Sequence, residues 1–236
     1  MDHLLPTRTT EDERTLAAPV AILPVGSFEQ HGPCLPLITD TVIACSIASA
    51  VAASYAVRHL PPITISCSHE HSRWPGTVSI SARTLHAMIS DIWKSLRQSE
   101  ATGLVVINGH GGNYVLQNAV QEATVTGACM ALFPGSADWT RARQAAQMTT
   151  DNHQDMHAGE LETSILLHAH PGLVLDGYEN TDHAADERPD LLTLGMSGYT
   201  TAGVIGKPSL ASAAKGKALL ASLAQSFLRC YELLGH

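Results

Sequence analysis

A layered α/β fold with a mainly parallel central sheet is what this sequence predicts. Three observations carry it. Short apolar runs alternate along the chain with longer segments of helical spacing, the pattern of strands joined by crossover helices. The 236 residues are 44% apolar and 15% charged, with a net charge of −8, enough material for the core of one domain and too apolar for disorder. Finally, polar clusters rich in His, Glu and Gly follow the apolar runs, and in parallel sheets active sites gather at the carboxyl ends of strands.

The elements follow in order. Val20-Ala21-Ile22-Leu23-Pro24-Val25 reads as a short buried strand and residues 41–57 as the helix after it. Pro62-Ile63-Thr64-Ile65-Ser66-Cys67 reads as a second strand. In residues 81–98, Leu85, Met88, Ile89, Ile92 and Leu96 recur at helical spacing, with Ser79 or Ser81 available as a cap. Gly103-Leu104-Val105-Val106-Ile107-Asn108 is the clearest strand, followed by a helix over 112–125 and a fourth strand over 129–133. Residues 158–168 and 210–234 read as helices, the last starting after Pro208. No repeat, linker or low-complexity tract interrupts the chain, so residues 1–236 are expected to form one domain.

Composition narrows function. An acidic chain with scattered basic residues has no electrostatic footprint for nucleic acid. The most apolar long run, over 41–57, is rich in Ala and Ser and falls short of the ~20 strongly apolar residues a membrane span needs. Five cysteines, Cys34, Cys45, Cys67, Cys129 and Cys230, form no CxxC pair and read as free thiols. With a polar, charged N-terminus unlike a signal peptide, these features lead us to expect a cytoplasmic protein with no nucleic-acid or membrane partner. The 13 histidines nearly equal Lys and Arg together, at 14, a first hint of metal or proton chemistry.

Three clusters at predicted strand ends sharpen that hint. After the first strand come Glu29 and His31, then Asp40. After the third comes Asn108-Gly109-His110-Gly111-Gly112-Asn113. A later helix opens with His157-Ala158-Gly159-Glu160-Leu161-Glu162. Together they supply the carboxylates and imidazoles that bind borderline-to-hard divalent ions. Glu29 and His31, at i and i+2, share a face of extended backbone. Asp40 either bridges ions or caps its helix. Gly on both sides of His110 permits close approach to a ligand. On a helix, His157 and Glu160, at i and i+3, would share a face while Glu162 points elsewhere. His69, Glu70, His71, Arg73 and Trp74 lie at another strand end and read as pocket lining.

Taken in order, these segments resemble the creatininase (creatinine amidohydrolase) family. The matching stretches are Leu23-Pro24-Val25-Gly26-Ser27-Phe28-Glu29-Gln30-His31-Gly32, Thr39-Asp40-Thr41, Trp74-Pro75-Gly76-Thr77-Val78-Ser79-Ile80, Asn108-Gly109-His110-Gly111-Gly112-Asn113, His157-Ala158-Gly159-Glu160-Leu161-Glu162-Thr163-Ser164 and Gly203-Val204-Ile205-Gly206-Lys207-Pro208. The resemblance implies a three-layer αβα hydrolase with two divalent ions per subunit (Zn, Mn or Fe), assembled as a hexamer of three dimers. It implies that Glu29 and His110 hold one ion, His31 the other and Asp40 both, with His157 as catalytic acid/base. The family's creatinine-cleaving member has its remaining carboxylate ligand two residues after the NGH histidine. Gly112 stands there in this chain, so Glu160 is expected to replace that ligand and Glu162 to be structural. His69, His71, Arg73, Trp74 and Gly111 are expected to contact substrate.

The expected reaction is metal-assisted hydrolysis of an amide-like C–N bond in a small molecule, with the ions stabilising charge on the carbonyl oxygen and His157 carrying a proton to the leaving nitrogen. The family's creatinine-cleaving member places an aromatic side chain shortly before the matching histidine, and residues 151–156 here have none, so the resemblance points away from creatinine and towards other amides, formamides, short modified peptides or polyol-derived rings. Two alternatives stay open: cleavage of a ring C–C or C–O bond by the same centre, and a metal-binding subunit without turnover.

Overall fold

A computed structural model describes residues 4–99 and 101–235; His3 and His236, expected on the surface, lie outside them. The elements run α1 (Thr10–Leu16), β1 (Val20–Val25), α2 (Thr39–Ala52), β2 (Arg58–His59), α3 (Ala82–Gln98), β3 (Gly103–Asn108), α4 (Val115–Val125), β4 (Met130–Phe133), α5 (Ser136–Ala145), α6 (Glu160–Ala169), α7 (Leu191–Leu194), α8 (Ala213–Ser226) and α9 (Leu228–Leu234). The four strands form one parallel sheet in the order β2-β1-β3-β4.

Strand alternation builds the layers. Val20, Ile22, Val105, Ile107 and Phe133 point to one face, where α2, α6, α8 and α9 cover them with Ile43, Ile47, Ile165, Leu223 and Cys230. Ala21, Leu23, Val25, Leu104 and Val106 point to the other, against Leu85, Ile89 and Trp93 of α3 and Leu116 of α4. Each fully buried Leu, Ile or Phe contributes about 1.5–3 kcal/mol relative to exposure. The αβα architecture is therefore a consequence of central strands that are apolar on both faces.

Some expected boundaries move, each for a local reason. The strand expected over 62–67 is replaced by the two-residue β2. Pro61 and Pro62 lack N–H donors and break the ladder there, so beyond them Ile63 makes only an isolated parallel bridge to Val25. The C-terminal helix is two segments that meet at the fully buried Phe227, and it starts later, with Ser212 Oγ accepting from Lys215 N at 3.3 Å. Helix α1 buries no residue and α5 buries only Asp138, Ala142 and Arg143, so neither shows an apolar period in the sequence.

One feature of the sheet positions the site. β1 and β3 are neighbours in register, Val25 opposite Asn108. Their carboxyl ends release residues 26–32 and 109–113 side by side.

Candidate metal centre

Two close backbone approaches bring Asp40 to this end of the sheet. A Cβ on Gly26 would sit 2.3 Å from Thr41 Cα, and one on Gly109 would sit 2.4 Å from the Asp40 carbonyl. Only glycine lets the first turn of α2 pack against both strand ends at these distances. Ile38 is the N-cap and no side chain caps the helix. The Asp40 side chain instead turns into the cluster, so the capping alternative falls away.

The side chains converge in a buried knot. His31 Nε2 lies 3.1 Å from Asp40 Oδ1 and 3.8 Å from Glu162 Oε2. His110 lies 3.0 Å from Asp40 Oδ2 through Nδ1 and 3.1 Å from Glu29 Oε2 through Nε2. Ser27 Oγ donates to Asp40 Oδ2 at 2.6 Å. Three overlapping groups each offer ligand atoms within 4.8 Å of one another: Glu29, Asp40 and His110; His31, Asp40 and Glu162; and Glu29, His31 and His157. Both carboxylate oxygens of Glu29 are buried without a hydrogen-bond partner. A buried carboxylate left so is costly, and a divalent ion would satisfy it, so the donor set fits the metals the sequence implies.

Hydrogen bonds fix the imidazoles. His31 Nδ1 lies 3.1 Å from the Glu29 carbonyl oxygen, which makes it the donor and leaves Nε2 as the lone-pair nitrogen, facing Asp40. The Gln30 amide nitrogen has two hydrogens, and its neighbours consume them: His71 Nδ1 at 2.9 Å and the Gly203 carbonyl at 3.0 Å. His157 Nε2, 2.7 Å from the Gln30 carbonyl, therefore donates to it. That leaves His157 Nδ1 as a free base, 3.8 Å from Glu29 Oε1. The Gly203–Gly206 stretch holds His157 from the other side, through paired backbone bonds between His157 and Ile205 of 2.9 and 3.0 Å.

Without metal, the cluster's protons are strongly displaced. Burial pushes Glu29 up to about 8, with Asp40 adding to the push against His110. Burial works against charge on His31 and His110, but Asp40 for His31, and Glu29 and Asp40 for His110, outweigh it and raise them to about 9 and about 10. Burial would raise Asp40 too, yet His31 and His110 hold it well below the usual carboxylate range. His71 falls to about 3 and His157 falls well below its ordinary value, through burial and then the neighbouring imidazoles. His157 is thus kept neutral.

The geometry corrects one expected ligand. Glu160 does not enter the cluster: its carboxylate accepts from Lys215 Nζ at 2.5 Å and Thr150 Oγ1 at 2.6 Å, which ties α6 to α8. Glu162 takes the place expected of it, its Oε2 also accepting from Ala158 N at 2.6 Å. The expectation treated 157–160 as one helical turn. In fact α6 begins at Glu160, and Ala158, at φ 53°, turns the chain before it. Helical spacing therefore does not relate His157 to Glu160. Gln30 and Glu162 had no distinct signal of their own, lying beside residues that already drew attention.

The expected substrate contacts divide. His71 is buried in the cluster, Nε2 3.2 Å from Glu29 Oε1 and its ring centroid 4.4 Å from that of His157, the two rings tilted by 41°. His69 and Arg73 line a cavity of about 410 Å³ beside His110, together with Glu70, Gly112, Tyr114 and Leu191. Gly111 lines a second cavity, of about 210 Å³, that includes His110, Trp139 and Glu162. Trp74 borders neither, lying 6.3 Å from the His71 ring.

Comparison with known proteins identifies the family and the fold. The creatininase family profile, described as creatinine amidohydrolase, matches residues 7–231. A mycofactocin precursor peptide peptidase of Mycobacterium ulcerans (strain Agy99) is 35% identical over 218 residues, covering 87% of this chain and 81% of the relative. A crystal structure of creatinine amidohydrolase superposes with a TM-score of 0.81 at 23% identity, covering 98% of this chain and 97% of that one. A structure described as "Creatininase Mn" gives 0.79 at 23% identity, covering 96% and 95%. The chain therefore belongs to the creatininase family, as an amidohydrolase with a buried carboxylate–imidazole cluster that could hold metal.

Proposed function

We propose that this single-domain protein hydrolyses an amide C–N bond of a small molecule or short peptide end, using two divalent ions per chain. Glu29, Asp40 and His110 would hold one ion and His31, Asp40 and Glu162 the other, with Asp40 shared. The carrying observation is the pair of three-residue groups that meet at Asp40. Such ions, when bound, activate a water and polarise the amide oxygen. His157 Nδ1, neutral and facing Glu29, accepts the water's proton and returns it to the leaving nitrogen. Gln30 fixes the tautomer this requires. His71 Nε2, 3.2 Å from Glu29 Oε1, packs against that carboxylate.

A peptide end is the substrate reading best supported among those the family offers. The relative at 35% identity is named for a precursor peptide, and the 410 Å³ cavity is open and carries both Arg73 and apolar Leu191 and Leu194, suiting more than a small ring. We infer zinc, manganese or iron as the metal, since mixed carboxylate and imidazole ligands suit all three. We infer a homo-oligomer, a hexamer of three dimers, and a cytoplasmic location, for which the free thiols speak.

Metal analysis with an amine-release screen over short peptides, formamides and lactams tests the reading. Two ions per chain are expected, with release from at least one amide class. His157→Ala should keep both ions and lose turnover by about 10²–10⁴-fold. Asp40→Ala retaining two ions would overturn the shared-ligand assignment. Sedimentation at six times 25.1 kDa is the expected assembly.

A further inference from the structure

Glu70 belongs to neither ligand group, yet the fold makes room for it beside them. Its Oε1 lies 3.6 Å from His110 Nε2. A Cβ on Gly112 would meet that oxygen at 2.0 Å, and one on Gly195 would meet the Glu70 carbonyl at 2.7 Å. Two glycines from separate segments thus leave space for this one residue. No other side chain of the described residues lies within ion-pair distance of its carboxylate, which borders the 410 Å³ cavity. Charge gives this placement meaning. Glu29, Asp40 and Glu162 leave two divalent ions one positive charge in excess, and an attacking hydroxide cancels it. With ions bound and His110 neutral, Glu70 would then be a negative charge without a counterpart, bordering the cavity. Arg73, on the same wall, is exposed.

We propose that Glu70 is a specificity residue: it selects amide substrates that carry an ammonium group next to the scissile bond. The proposal rests on the amidohydrolase reading of the site and names what that site recognises. A charge-assisted hydrogen bond there is strong because the carboxylate is largely shielded from water.

The test compares glycyl-tyrosine with N-acetylglycyl-tyrosine. The two share the tyrosine carboxylate, so Arg73 contributes equally to both. Binding to the manganese-loaded protein is read from broadening of ligand proton resonances by the ion, and hydrolysis from amine release. The wild-type chain should favour the free amine at least tenfold. Glu70→Gln should abolish the preference while leaving metal content and the acetylated ligand unchanged, and Glu70→Asp should restore part of it. A preference that survives in Glu70→Gln, no preference in the wild type, or metal lost from Glu70→Gln each overturns the proposal. If the wild type binds with the expected preference but hydrolyses neither ligand nor any other amide, the amidohydrolase reading fails and the recognition role stands.

Discussion

The two acids of α6, two residues apart, have opposite jobs. Glu162 Oε2 stands 3.8 Å from His31 in the cluster, while Glu160 is spent on Lys215 and Thr150. Glu162→Ala should lose one ion of two, read by elemental analysis, with activity down by at least 10². Glu160→Gln should leave metal content intact and instead lower stability by about 3 kcal/mol, because it strands a partly buried ammonium; a denaturant midpoint measures it. Both acids were visible in the sequence, but their roles were not separable. Their difference depends on where the helix starts, and that depends on the left-handed turn at Ala158. Glu29, His31, His110 and His157 were legible because each follows a strand or opens a helix near Gly, where a bland structural role demands no such side chain; Asp40 was visible only as one of two readings, since a helix cap explained it equally. Gln30 was hidden between two louder neighbours, and its work only becomes clear when both of its amide hydrogens are traced.

At the scale of elements, Asp155 governs how α6 enters the site. Its Oδ1 accepts from Glu160 N at 2.6 Å and its Oδ2 from Leu161 N at 2.9 Å, and Oδ2 pairs with Arg143 of α5 at 3.0 Å. The helix is thus capped by an acid five residues upstream, itself anchored by a buried guanidinium. Asp155→Ala should cost about 3–5 kcal/mol, since it removes a cap and leaves Arg143 buried and unpaired. The Asp155→Ala, Arg143→Ala double variant should cost less than the sum of the singles, a coupling a double-mutant cycle measures by urea denaturation. The alternation of strands and helices was readable because apolar runs and helical spacing differ in period. The boundary after β2 was not, because a β-like stretch beside two prolines looks apolar whether or not its ladder continues.

At the scale of the molecule, metal and fold are linked through protons. In the metal-free protein His31 and His110 titrate near 9 and 10, above an ordinary 6.5. Groups raised in the fold contribute stability that is complete below the ordinary value and lost as pH rises through the folded one. Glu29 and Glu162, raised to about 8 and about 7, oppose folding increasingly as pH climbs towards those values. Above pH 6.5 both effects run the same way, so the metal-free form should weaken from pH 7 to pH 9.5. Ions replace those protons, and their binding adds stability by mass action. Chelation should therefore lower Tm, and by more at pH 9.5 than at pH 7, as calorimetry would show. In Asp40→Ala the chelation effect should vanish.

The segments that would hold the proposed ions and the segments that line the cavity are different pieces of chain. The ends of β1 and β3 and the first turns of α2 and α6 supply the carboxylate–imidazole groups that could hold metal. The cavity wall comes mostly from residues 69–73 and 191–195, outside the sheet. Mutations can therefore explore new substrates on the wall while the hydrolytic centre stays under separate constraint. Lineages sharing this scaffold can diverge in diet without reinventing their chemistry.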